Sequence, residues 1–216
     1  MLKLFAIKNS CLDDDKTFEK YLAIVDNARR GKTLKLSVRE KRSQSLAAGV
    51  IVTLALERLG YDGGVEISYG EHGKPRLTQP EGLFFNISHS GEWTVAAFSD
   101  GEVGVDIQQI KPVDARLADR FFTAEERQAL AQSGDSQELF FRLWTVKESY
   151  LKALGTGLSR PLNSFTVRFA EEGVRIDDPT VPQKWHAAEV SAFNGYNIAC
   201  CTAEPQPVPE PVILTV

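Results

Sequence analysis

Val103-Gly104-Val105-Asp106-Ile107-Gln108 is the stretch that organises the rest of the chain. Side chains of a strand alternate between faces, so Val103, Val105 and Ile107 turn one way while Asp106 and Gln108 turn the other. The two oxygen-bearing side chains then stand about 6–7 Å apart along the strand. That face is either the solvated side of an edge strand or the start of a site for a hard cation. Magnesium favours oxygen ligands and is often held by only one or two carboxylates.

Upstream of this stretch lie further short β-like runs, Val65 to Tyr69, Leu83 to Ile87 and Thr94 to Phe98. Turn residues at Gly63-Gly64, Gly73-Lys74-Pro75 and Ser90-Gly91 separate them. Before them, Ser37 with Glu40 three residues on predicts a capping box. Ala47, Val50, Ile51 and Leu54 then recur at helical spacing until Gly60 ends the helix. Downstream, Thr123 with Glu126 predicts a second capping box. A long helix is predicted from Ser136 to Leu154, followed by Gly155 and by strand-like runs at Phe165 to Phe169, Trp185 to Val190 and Tyr196 to Cys201. The stretch from Ala203 to Val212 carries four prolines and reads as extended and surface-lying. Helices followed by runs of strands, without regular βαβ alternation, predict an α+β fold. A join near residue 102 divides the chain into an N-terminal half, 1–102, and a C-terminal half, 103–216. Each half reads as a helix and a small antiparallel sheet.

Composition narrows the function. Twenty-five Lys and Arg against 29 Asp and Glu give a formal charge of −4, which argues against a nucleic-acid binder. The apolar run Leu46 to Leu56 falls well short of the roughly 20 residues that cross a membrane. Cys11 and the adjacent Cys200 and Cys201 form neither a disulfide framework nor a metal spacing. The expectation is a soluble protein of the reducing cytoplasm. Walker, Gly-x-Gly-x-x-Gly, His-Glu-x-x-His, Cys-x-x-Cys and Gly-x-Ser-x-Gly patterns are all missing from the sequence.

Three other segments carry candidate chemistry. On the long helix, Trp144, Glu148 and Lys152 fall at i, i+4 and i+8, with Lys147 beside that stripe. Glu148 and Lys152 are either a surface ion pair or a carboxylate next to phosphate-facing ammonium groups. Phe85-Asn86-Ile87-Ser88-His89-Ser90 offers hydroxyls and an imidazole that suit a phosphate, or else form a solvated turn. Between Arg29 and Arg42, seven basic residues face only Glu40 as an opposing charge. They form a positive patch for phosphates or an acidic partner, or a solvated helix face.

Taken in order, Gly73-Lys74-Pro75, Phe85-Asn86-Ile87-Ser88-His89-Ser90, Gly104-Val105-Asp106-Ile107, Phe121-Phe122 with Glu125, Trp144-Thr145-Val146-Lys147-Glu148-Ser149-Tyr150-Leu151-Lys152 and Gly155-Thr156-Gly157-Leu158 resemble the surfactin-type 4′-phosphopantetheinyl transferases. The resemblance implies two similar halves with the active site in the cleft between them, one chain supplying both sides and hence a monomer. It implies magnesium, for which manganese can substitute, and coenzyme A as substrate. The implied reaction moves 4′-phosphopantetheine to a serine of an acyl or peptidyl carrier protein and releases 3′,5′-ADP. Position by position it implies Asp106 and Glu148 as metal ligands, Glu148 also as the base, and Lys152 on the diphosphate with Lys147 beside it. Ser88 and His89 would hold the nucleotide phosphates, Lys74 would lie in the coenzyme A site, and Arg42, less closely Arg29, would meet the 3′-phosphate. The family pattern Gly-x-Asp-x-Glu ends here in Gln108, which offers magnesium a carbonyl oxygen without charge. A magnesium-dependent phosphodiesterase or pyrophosphatase acting on coenzyme A-like diphosphates, and a coenzyme A-binding module without turnover, are the competing readings.

Overall fold

The computed structural model describes residues 1–70 and 73–216, without the side chain of Leu158. It opens on β1 (Lys3–Lys8), followed by α1 (Asp15–Leu22), α2 (Asn27–Leu34) and the long α3 (Arg39–Arg58). A hairpin of β2 (Glu66–Tyr69) and β3 (Pro75–Gln79) leads to β4 (Phe84–Ser90), β5 (Trp93–Ser99) and β6 (Val103–Gln109). Next come α4 (Arg116–Phe121), α5 (Ala124–Gln132) and α6 (Ser136–Leu154). The strands β7 (Thr166–Ala170), β8 (Gly173–Asp177), β9 (His186–Val190), β10 (Tyr196–Thr202) and β11 (Val212–Ile213) complete the order.

Two sheets stand back to back between two helices. The first has the order β11-β1-β5-β4 and the second β6-β10-β9-β8-β7, while β2 and β3 pair apart. Alternation explains the layering. Phe5, Ile7, Ala96 and Phe98 turn from the first sheet toward α3, and Leu4, Ala6, Val95 and Ala97 turn toward the second sheet. On the second sheet Val103, Val105, Ile107, Ile198 and Cys200 meet them, while Ala199 and Cys201 face α6. The α+β expectation holds, with helices packed on mainly antiparallel sheets. The two layers are not copies strand for strand, having four strands against five.

Helix α3 is buried almost all round from Ser43 to Val52. The sheet covers one side and α1, α2 and the turn at Asn9–Leu12 pack on others, so its apolar run is a core helix. It begins at Arg39 with Val38 as N-cap and no side-chain cap bond, so the Ser37–Glu40 capping box does not form. The Thr123–Glu126 box does form, at the start of α5. Asp135 caps α6 through the Glu138 amide, and Gly155 ends it in a left-handed conformation that glycine adopts without strain.

Two features go beyond the sequence reading. The opening segment, for which no element was predicted, forms β1 between β11 and β5. The proline-rich stretch from Ala203 to Val212 is extended and surface-lying as expected, with no residue buried, and what the sequence did not show is that it leads back to the first sheet. There β11 pairs in parallel with β1, the Leu214 amide bonds to the Ala6 carbonyl, and Leu214 is buried in the α3 core. A division at residue 102 therefore does not separate the layers, because residues 212–214 belong to the first.

The seam between the layers sets the site. Strand β6 carries Gly104 because α6 crosses there: a Cβ at that position would lie 2.0 Å from the Ser149 carbonyl oxygen and 2.5 Å from the Ala153 nitrogen. Both obstacles are backbone, so neither can step aside. Gly104→Ala is expected to destabilise the protein toward the upper end of the ~1–3 kcal/mol typical of overpacking, lowering the urea midpoint. Gly101→Ala, with nothing within 4 Å of the added methyl group, should leave the midpoint nearly unchanged.

Candidate active site

Strands β4 and β6 are edge strands of different sheets, yet they lie side by side. Side chains replace the missing ladder. The Val105 amide donates to Asn86 Oδ1 at 3.0 Å, and the Gln109 amide donates to Ser90 Oγ at 3.0 Å. Asn86, Ser88 and Ser90 share one face of β4, as their i, i+2, i+4 spacing requires.

Asp106 sits at the centre of this seam and is 2% exposed. Its Oδ1 accepts hydrogen bonds from Ser88 Oγ at 2.6 Å and from Lys152 Nζ at 2.6 Å. Lys152 Nζ also reaches Ser88 Oγ at 2.8 Å and the Val105 carbonyl at 3.1 Å. Asp106 Oδ2 accepts from Gln108 Nε2 at 3.2 Å, and Gln108 Oε1 accepts from Ser90 Oγ at 3.4 Å. Lys152 thus pairs across to Asp106 on β6, and of the two readings of Glu148 and Lys152 the ion pair along the helix is not among those formed by the described residues.

Glu148 lies one helical turn before Lys152. Burial raises its pKa above the ordinary glutamate value, the Asp106 charge raises it further, and Lys152 offsets part of the effect. Two carboxylates therefore feel each other in a partly desolvated seam. A hard divalent cation suits that arrangement, since oxygens of Asp106, Glu148 and Gln108 are the available donors. Among the described residues no cluster of three or more His, Cys, Asp or Glu side chains converges, so any cation would complete its shell with other ligands.

The remaining expected residues fall into three groups. His89 turns to the face of β4 opposite Ser88. Its pKa is pulled below the usual histidine value, first by desolvation and then by the charges of Lys152, Lys41 and Lys32. The imidazole thus shares one positive field with the basic segment and the seam. Arg42 packs its guanidinium 4.9 Å from the Phe18 ring, with its Nε buried and unpartnered. Arg29, on α2, lays its stem against Gly49. Lys74 holds Glu102 at 2.7 Å and the Ala153 carbonyl at 2.9 Å, clasping the end of α6, and burial lowers its pKa.

Lys147 is a correction. It was expected beside Lys152 on the phosphates, but one residue before Glu148 the helix has turned it inward. It is fully buried, paired with Glu126 Oε1 at 2.7 Å and donating to the Leu162 and Phe165 carbonyls at 2.9 and 2.6 Å. Glu126 also accepts from the Thr123 and Val167 amides. Asn86 and Ser90, which bridge the seam, were given no individual role in the sequence reading. The signal available was three alternating polar residues on a strand with Phe85 and Ile87 on its other face.

A cavity of about 750 Å³ opens between β8 and the loop leading to β9. It is lined by none of the seam residues. The candidate site is a polar seam.

A family model for the 4′-phosphopantetheinyl transferase superfamily matches residues 102–201. The 4′-phosphopantetheinyl transferase psf-1 of Bacillus pumilus is 34% identical, covering 99% of this chain and 95% of that protein. The 4′-phosphopantetheinyl transferase Sfp of Bacillus subtilis is 33% identical, over 87% of this chain and 86% of its own. Among solved structures, the holo-[acyl-carrier-protein] synthase of Neisseria meningitidis is 20% identical, covering 48% of this chain and 98% of that one with a TM-score of 0.43. The chain belongs to the 4′-phosphopantetheinyl transferase superfamily. Within it, the two Bacillus proteins are similar to this chain over most of its length.

The Lys147–Glu126 pair gives a prediction separate from the seam. Lys147→Ala leaves Glu126 buried without its counter-charge, and breaking such a pair costs roughly 3–5 kcal/mol. Chemical denaturation should show that loss, while ligand affinity of the protein that remains folded should be unchanged.

Proposed function

We propose that the protein transfers 4′-phosphopantetheine from coenzyme A to a serine of an acyl or peptidyl carrier protein, releasing 3′,5′-ADP. The observation that carries this reading is the convergence of Asp106, Ser88 and Lys152 from β6, β4 and α6 on one seam, with Glu148 one helical turn before Lys152, in a chain of this superfamily. Both strands and the helix come from one chain, which fits a monomer. No helix among the described residues is long and apolar enough to cross a membrane, which fits an enzyme of the cytoplasm.

In this reading Asp106 and Glu148 hold magnesium, or manganese in its place, with Gln108 beside them. Bound there, the ion would neutralise charge on the diphosphate and on the departing 3′,5′-ADP. Lys152, held by Asp106 and Ser88, presents its ammonium to the diphosphate without a search through rotamers. The Glu148 carboxylate takes the proton of the carrier serine hydroxyl as its oxygen bonds to the β-phosphorus. The bond from that phosphorus to the ADP oxygen breaks. Burial of Glu148 raises its affinity for that proton, which suits a base. Holding both reactants in line supplies much of the remaining acceleration. His89, with Lys41 and Lys32 in the same field, and the Arg29 and Arg42 segment receive the nucleotide phosphates, and Lys74 borders that site.

Mass spectrometry of an apo carrier protein incubated with coenzyme A tests the reading. Asp106→Ala and Glu148→Ala should each abolish the added phosphopantetheine mass. Glu125→Ala should retain most of the activity, since that side chain is exposed and pairs with Arg168. Near wild-type modification by both site variants would end the proposal.

A second prediction concerns pH. His89 has a lowered pKa in the free protein, and a bound phosphate favours its protonated form. Binding then takes up a proton, so affinity for coenzyme A should rise as pH falls through the ordinary histidine range toward the lowered pKa of the free protein. His89→Gln should flatten that slope in calorimetric titrations.

A further inference from the structure

Gln108 stands where a third oxygen ligand was expected, and its hydrogen bonds assign it another task. Asp106, paired with the Lys152 ammonium, accepts hydrogen bonds and donates none. The end of the Gln108 amide that lies 3.2 Å from Asp106 Oδ2 is therefore its NH2 group. The carbonyl end faces Ser90 at 3.4 Å. The Ser90 oxygen already accepts from the Gln109 amide at 3.0 Å, which leaves its hydroxyl proton for the Gln108 carbonyl. Turning the amide over would set oxygen against oxygen at Asp106. Donor and acceptor roles thus fix one orientation along the line Gln109 amide, Ser90, Gln108, Asp106.

We infer that Gln108 is a positioning residue, oriented by Ser90, that holds Asp106 through its amide NH2 instead of offering its carbonyl to the cation. The inference rests on the reading of Asp106 and Glu148 as the cation site. Asp106 is restrained at both oxygens, by Ser88 and Lys152 on Oδ1 and by Gln108 on Oδ2. Ser90 acts two bonds away from the ion, through an atom that a ligating glutamine would need free.

The two roles for Gln108 predict opposite responses to removal of the Ser90 hydroxyl. If the carbonyl ligated the ion, Ser90→Ala would release it from a competing hydrogen bond and leave magnesium affinity unchanged or tighter. If Gln108 positions Asp106, Ser90→Ala weakens magnesium binding, by roughly the tenfold typical of residues that orient metal ligands. The experiment is calorimetric titration of magnesium into the full-length protein with coenzyme A bound, alongside thermal melts to confirm folding. Ser90→Ala and Gln108→Leu should weaken binding to similar extents, and the double variant should be no weaker than Gln108→Leu alone. Ser90→Thr, which keeps the hydroxyl, should restore it. Unchanged or tighter binding in Ser90→Ala, with binding lost in Asp106→Ala, overturns the inference and leaves the cation site standing. Wild-type magnesium affinity in Asp106→Ala removes the cation site itself and the inference with it.

Discussion

The close approach of α6 to β6 is the constraint on which the other arrangements depend. Without a side chain at Gly104, the helix backbone lies directly over the strand. Lys152 can then reach Asp106, Ser88 and the Val105 carbonyl together. Any residue with a Cβ would push the helix outward and lengthen all of these bonds. The same approach aligns β6 with β4, where Asn86 and Ser90 stand in for the backbone partners that two edge strands of separate sheets would lack. Buried backbone amides are costly to leave unpaired, so these polar side chains belong to the stability of the seam as much as to its chemistry.

One helix serves two electrostatic purposes. Lys147 and Lys152 are five residues apart on α6 and face different surroundings. Lys147 enters the core and is satisfied by Glu126 and two carbonyls. Lys152 remains partly exposed at the seam with Asp106. A lysine with no N–H donor to spare anchors the helix to α5 and to the segment before β7. The other holds its ammonium in the seam on Ser88, the Val105 carbonyl and Asp106, and its charge reaches His89 together with those of Lys41 and Lys32. Anchoring on one side lets the other side hold a fixed geometry.

Much of this was legible in the sequence. Periodicity gave α6 its full length from Ser136 to Leu154, because the apolar spacing and Gly155 agree, and the structure adds Asp135 as its cap. Alternation in 103–108 sorted the valines from Asp106 correctly. Burial of Lys147 was not legible, since adjacent residues on a helix differ by about 100° in direction and only packing decides which side meets the core. Nor was the route of the proline-rich stretch, since its pairing with β1 is set by tertiary contact and not by local propensity. The opening segment was missed for a related reason. Phe5 and Ile7 are too few to show a pattern until Ala96, Phe98 and Leu214, which share their cluster, are known.

The parallel pairing of Phe5 with Val212 and Ala6 with Ile213 has a consequence for how the molecule is made. A layer whose helix and three strands leave the ribosome early must wait for a segment synthesised much later to cover one flank of β1. Until then, that flank offers open hydrogen-bonding groups and the cavity that Leu214 will fill. The first layer is therefore completed only when residues 212–214 have been made and docked, and until then the open flank of β1 is available for mispairing with a neighbour.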